Sequence, residues 1–163
     1  MITIGSPAPD FSLPDQDGEM HTLKEFAGHW LVVYFYPKDD TPGCTIEACS
    51  IKDNWHLFEK FDVVVFGVSA DSVASHKKFK ERYNLPFTLL SDPNKKTLTD
   101  YQVWIEKSMF GKKYMGIQRA TYIIDPQGNI AKVYPKVTPT SHTNKLLADL
   151  EHLQLNQKVE WSS

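Results

Sequence analysis

The chain has 163 residues, 41% hydrophobic and 23% charged, which describes one folded unit of ordinary size rather than a disordered tract. Its 18 basic and 20 acidic residues leave a net charge of −2, so no global field draws it to nucleic acid or an anionic membrane. The longer uncharged apolar runs, such as Trp30–Tyr36, fall far short of the roughly 20 residues that span a bilayer.

The start of the chain has no cationic patch, no apolar signal core and no small-residue cleavage site, so a mature cytoplasmic protein is expected. Phe11–Pro14 reads as a strand, followed by a hairpin turn at Asp17-Gly18. Trp30–Tyr36 is β-branched, aromatic and uniformly apolar, the pattern of a strand buried on both faces, and Pro37 ends it. A helix is predicted from about Pro42 to Phe61, then a second buried strand over Val63–Val68. Ser72–Tyr83 reads as an amphipathic helix with Lys77, Lys78 and Lys80 outward, Pro86–Leu90 as a third strand, and Asn94–Tyr101 as a short helix. Strands at Ala120–Ile124 and Ile130–Tyr134 flank Asp125-Pro126-Gln127-Gly128-Asn129, a hairpin signal. A last helix, Thr140–Leu153, places Leu146, Leu147, Leu150 and Leu153 at helical spacing. The alternation predicts a single α/β domain over 1–163, with a mixed central sheet flanked by helices and an N-terminal β-hairpin.

The chemistry concentrates in Pro37-Lys38-Asp39-Asp40-Thr41-Pro42-Gly43-Cys44-Thr45-Ile46-Glu47-Ala48-Cys49. Thr41 suits a helix N-cap and Pro42 the first helical position, where a missing N–H costs nothing. Cys44 then lies in the first turn, at the carboxyl end of a buried strand, where free N–H groups and the positive helix end favour a thiolate. Gly43 removes bulk beside the thiol. A reactive thiol competes here with a small buried cysteine beneath a merely structural cap. Cys49 is five residues on. In an ideal helix that spacing separates the Cα atoms by about 8.6 Å, beyond the roughly 7 Å that a disulfide allows. Either the pair is inert, or its chemistry requires the first turns to unwind. The spacing is not Cys-x-x-Cys, which disfavours a dithiol site.

His21, His29, His56, His76, His142 and His152 show no ligand spacing with one another or with the cysteines, although His56 could approach Cys49, so no metal is expected. The scattered glycines form no nucleotide fingerprint. Arg82 and Arg119 stand alone among 18 basic residues dominated by Lys. Arg82, on a Lys-rich helix, reads as a solvated charge. Arg119 precedes a buried strand, where its rigid fork suits a site residue or a structural ion pair equally.

Pro37-x-x-x-Thr41-x-x-Cys44 resembles the peroxiredoxin active-site motif, and Tyr36–Thr45 with Cys49 is similar to the peroxiredoxin Q or bacterioferritin-comigratory subgroup in particular. Gly5-x-x-Ala8-Pro9-Asp10-Phe11, Gly67–Ser72, Leu90–Pro93 and Gly116–Arg119 fit the same pattern, which covers Gly5 to about Leu153. One departure is Gln102, where relatives often have Gly. The resemblance implies a thioredoxin-like fold and reduction of hydrogen peroxide and organic hydroperoxides. It implies Cys44 as peroxidatic and Cys49 as resolving cysteine, with Thr41 and Arg119 catalytic and Pro37 and Gly43 shaping the substrate pocket. It further implies no cofactor, thioredoxin or glutaredoxin as reductant, a monomer, and antioxidant defence. A general thiol–disulfide oxidoreductase and a non-catalytic thiol-bearing chaperone domain are the alternatives.

Overall fold

In the computed structural model, which describes residues 2–162, the chain opens with a small antiparallel hairpin, β1 (Ser12–Pro14) and β2 (Met20–Thr22). Asp15 closes its turn by accepting from the N–H groups of Asp17 (2.8 Å) and Glu19 (3.0 Å), as the Asp17-Gly18 signal leads one to expect.

The central sheet has five strands: β3 (Trp30–Phe35), β4 (Val63–Ser69), β5 (Thr88–Ser91), β8 (Ala120–Ile124) and β9 (Ile130–Tyr134), in the order β5-β4-β3-β8-β9. The β3, β4 and β5 strands run parallel, while β8 and β9 are antiparallel, so the sheet is mixed as its sequence implies. In β3, Leu31, Val33 and Phe35 pack into one core layer, and Val32 and Tyr34, with Tyr36 just beyond the strand, into the other. Its uninterrupted apolar run is thus the signature of a central strand covered on both sides.

Helices α1 (Pro42–Asp53), α2 (Trp55–Lys60), α3 (Val73–Tyr83) and α5 (His142–Ser162) cover one face, contributing Ala48, Ile51, Phe58, Phe79, Leu146 and Leu150. On the other face α4 (Lys96–Asp100) contributes Leu98, beside Phe11 and Leu13 from the N-terminal segment. None of the described helices is long and apolar enough to cross a membrane.

Three details differ from the sequence expectation. The helix predicted over 42–61 breaks at Asn54, whose amide donates to the Ser50 carbonyl at 2.8 Å and competes with the helical ladder. His56 therefore sits exposed on α2, apart from the α1 helix that carries both cysteines. A detached hairpin, β6 (Trp104–Met109) and β7 (Lys112–Ile117), occupies a stretch to which the sequence pattern assigns no element. Its turn places Phe110 (φ 52°) and Gly111 (φ 79°) both in the left-handed region, and Phe does not announce such a turn. Finally, α5 continues to Ser162, past the last of the regularly spaced leucines.

Candidate active site

The β3 strand delivers the chain to the carboxyl edge of the sheet, and α1 begins seven residues later. Thr41 is the N-cap with extended backbone and Pro42 the first helical residue, as expected. The Thr41 side chain, however, does not cap the helix. Its hydroxyl donates to the Lys38 carbonyl at 2.8 Å. That commits the hydroxyl proton and leaves its oxygen lone pairs to accept, while the first-turn N–H groups of Gly43 and Cys44 lack the intrahelical partners that later turns have.

Cys44 is buried, 2% exposed, under this first turn. Arg119, at the entry of β8, donates from Nη2 to Cys44 Sγ at 3.4 Å and from Nη1 to Glu47 Oε1 at 3.0 Å. One guanidinium thus bridges the thiol and a carboxylate one helical turn further on, a use of the fork that Lys cannot reproduce. Gly43 explains how it fits: a Cβ there would stand 3.1 Å from Arg119 Nη2 and 3.5 Å from Pro139 Cγ. The space left by this glycine is occupied by the guanidinium.

Sequence reasoning missed Glu47. It is buried, its Oε2 has no hydrogen-bond partner among the described residues, and burial pushes its pKa up to about 7 against the pull of Arg119. The signal was available in principle, because position i+3 from Cys44 shares its face of the helix.

Pro37 is half-buried at the start of a loop fixed by its neighbours. The buried Asp39 carboxylate accepts from Tyr36 Oη (2.6 Å) and Ser75 Oγ (2.8 Å) and lies 2.7 Å from His76 Nδ1. His76 Nε2 faces the Leu90 carbonyl at 2.9 Å and must donate to it, because a carbonyl only accepts. The Asp39 N–H donates to Asp71 at 2.8 Å, and Asp40 receives Arg82 and Tyr83 from α3. Arg82 is exposed, but it is paired with Asp40 rather than merely solvated.

Cys49 is half-buried on the same helix and is not bonded to Cys44. Burial raises its pKa. Both cysteines lie within the unbroken α1, the arrangement whose ideal geometry forbids their disulfide. The histidine survey also missed two carboxylate groupings, Asp15-Glu19-His21 and Asp39-Asp71-His76, with donor atoms close enough to surround a cation. In the second, each carboxylate already accepts from neighbouring donors.

Residues 4–133 match the AhpC/TSA family. The chain is 49% identical over 149 residues, 91% of its length and 99% of the relative's, to the putative peroxiredoxin bcp of Coxiella burnetii. It is 45% identical over 152 residues, 93% and 97% of the two lengths, to peroxiredoxin Bcp of Bacillus subtilis. Among solved structures it resembles Xanthomonas campestris peroxiredoxin Q with a TM-score of 0.86 at 37% identity, covering 93% of this chain and 96% of that one. A structure of the bacterioferritin comigratory protein of the same organism, described for alkyl peroxide reduction, gives a TM-score of 0.86 at 36% identity, covering 93% and 97%.

Proposed function

We propose, on the premise that this chain belongs to the AhpC/TSA family and is a thiol peroxidase of the Bcp and Q kind with their thioredoxin-like fold, that Cys44 is the thiol that attacks the peroxide. The observation that carries this reading is the Arg119 fork, one arm on Cys44 Sγ and the other on Glu47.

The guanidinium donates to the attacking sulfur beside the free N–H groups of the first turn. Thr41 accepts the hydroperoxide O–H, and Pro37 limits water on the loop side of the pocket. A sulfur–oxygen bond forms as the oxygen–oxygen bond breaks. The departing oxygen leaves with the bonding electrons and takes up a proton, giving water or an alcohol. Charge that grows on this oxygen meets Arg119 and the N–H groups in a pocket poor in water.

The sulfenic acid at Cys44 condenses with the Cys49 thiol, releasing water and forming a disulfide. Condensation requires α1 to unwind between the two residues. Unwinding also frees Cys49 from the burial that raises its pKa, so its thiolate forms when it is needed. A dithiol reductant, thioredoxin or glutaredoxin, then returns two electrons by thiol–disulfide exchange. Both cysteines lie on one helix, so resolution stays within one chain and a cytoplasmic monomer suffices.

The test is peroxide consumption coupled to a thioredoxin system. The native chain should turn over hydrogen peroxide and an organic hydroperoxide, and Cys44→Ser should abolish both activities. Turnover retained by Cys44→Ser would move the nucleophile elsewhere.

A further inference from the structure

His76 on α3 has no exposed surface, yet its two ring nitrogens both need partners. Nε2 donates to the Leu90 carbonyl of β5 at 2.9 Å. Among the described residues, Nδ1 faces the Asp39 carboxylate at 2.7 Å and Tyr36 Oη at 3.4 Å. Tyr36 has one hydroxyl proton, and it is spent on Asp39 Oδ1 at 2.6 Å. Burial raises the pKa of that phenol and keeps it protonated. Ser75 Oγ donates to Asp39 Oδ2 at 2.8 Å. Three donors converge on one carboxylate, which keeps the negative charge there and the shared proton on the ring. Both nitrogens of His76 therefore donate, and the ring is an imidazolium. Its charge is tolerated without water because its partner is a buried, hydrogen-bonded carboxylate.

One peptide unit, Lys38–Asp39, ties this pair to the peroxide site. Its carbonyl accepts from Thr41 Oγ1 at 2.8 Å, and its N–H donates to Asp71 Oδ2 at 2.8 Å. Ser69 Oγ, at the end of β4, holds the same Asp71 oxygen at 2.7 Å. The tilt of this peptide decides where the Lys38 carbonyl points. It thereby decides where the Thr41 proton goes and where the lone pairs of that hydroxyl face. Two anchors fix the tilt: Asp71 grips the N–H of Asp39, while His76, Tyr36 and Ser75 grip its side chain.

We propose that His76 is a positioning residue of the peroxide site, a buried imidazolium whose pair with Asp39 fixes the Lys38–Asp39 peptide and through it the aim of the Thr41 hydroxyl. The inference rests on the reading of Cys44 as the attacking thiol and of Thr41 as the acceptor of the hydroperoxide O–H.

Heteronuclear NMR of the nitrogen-labelled, reduced full chain reads the ring directly. The His76 signals are identified by their absence from His76→Gln or, should that variant not fold, by their displacement in Asp39→Asn. At neutral pH both His76 nitrogens of the native chain should carry bonded, slowly exchanging protons. Asp39→Asn should discharge the ring, because an amide N–H can donate to Nδ1 and leave a proton on Nε2 alone. Stopped-flow oxidation by hydrogen peroxide then reads the consequence. His76→Gln and Asp39→Asn should each slow the reaction by about tenfold, the scale of one hydrogen bond displaced in the transition state. In a Thr41→Val background, which has no hydroxyl to aim, neither change should slow it further by more than about twofold. A proton on Nε2 alone in the native chain would overturn the imidazolium. Native rates in folded Asp39→Asn, or slowing as large with Thr41→Val as without it, would overturn the positioning role. A native chain that does not react with hydrogen peroxide would overturn the Cys44 reading and this role together, and the ring spectrum, which depends on neither, tells the two failures apart.

Discussion

Replacing Arg119 with Lys isolates the guanidinium fork from its charge. The native side chain is 14% exposed and spans two partners, Glu47 at 3.0 Å and Cys44 Sγ at 3.4 Å, in directions that a single ammonium cannot satisfy together. Because Glu47 is almost completely buried, the ammonium should settle on it and surrender the sulfur contact. One charge-assisted hydrogen bond contributes about 1.5–2 kcal/mol. Lost from the transition state, that corresponds to a peroxide step slower by about tenfold to thirtyfold. The fold should survive with a melting temperature within about 4 °C of the native value, because the ion pair to Glu47 persists. Prereduced protein mixed with excess hydrogen peroxide in a stopped-flow instrument reads the second-order rate directly, before resolution or recycling. Native rates in Arg119→Lys would refute a role for the fork. A large loss of stability would instead make Arg119 a structural residue.

Glu47 provides a pH test with a definite sign. Folding raises its pKa from 4.5 to about 7, so its contribution to stability is full below the unfolded value and is lost as pH rises through about 7. Between about pH 5 and about pH 8, the urea midpoint of the native chain should therefore fall relative to that of Glu47→Gln, and parallel curves would show that Glu47 does not titrate there. Gln102 occupies the left-handed region at φ 61°, so Gln102→Gly should raise stability by about 0.5–1 kcal/mol in denaturant unfolding, and a loss would show that its side chain matters more than its backbone. Amides from Gly43 to about Lys52 should exchange faster in the peroxide-oxidised protein than in the dithiol-reduced protein. Equal protection in both forms would mean that α1 does not open.

The periodicity of the sheet was legible because its strands are either apolar throughout, as in β3, or end in strong turn signals, as at Asp125–Asn129. The β6–β7 hairpin was not, since its residues are mostly exposed and its Phe110-Gly111 turn lacks the usual Asn or Asp. The break at Asn54 depends on one side chain turning back to Ser50, a local competition that helical spacing does not register. Within the site, the capping pattern located Cys44, and composition singled out Arg119. Their contact spans 75 residues of sequence, and Glu47 and Asp39 become informative only once the fold supplies their neighbours. The departure at Gln102 was visible in the sequence, but its physical meaning, a left-handed backbone that glycine adopts without strain, emerges only from the fold.

Mass spectrometry after one equivalent of hydrogen peroxide tests the central chemistry most directly. The native chain should lose two hydrogens, and peptide mapping should join Cys44 to Cys49. Cys49→Ser should instead gain a single oxygen on Cys44, trapped by a sulfenic-acid reagent, and Cys44→Ser should remain unmodified. A sulfenic acid on Cys49, or oxidation of Cys49 in the absence of Cys44, would contradict the assignment.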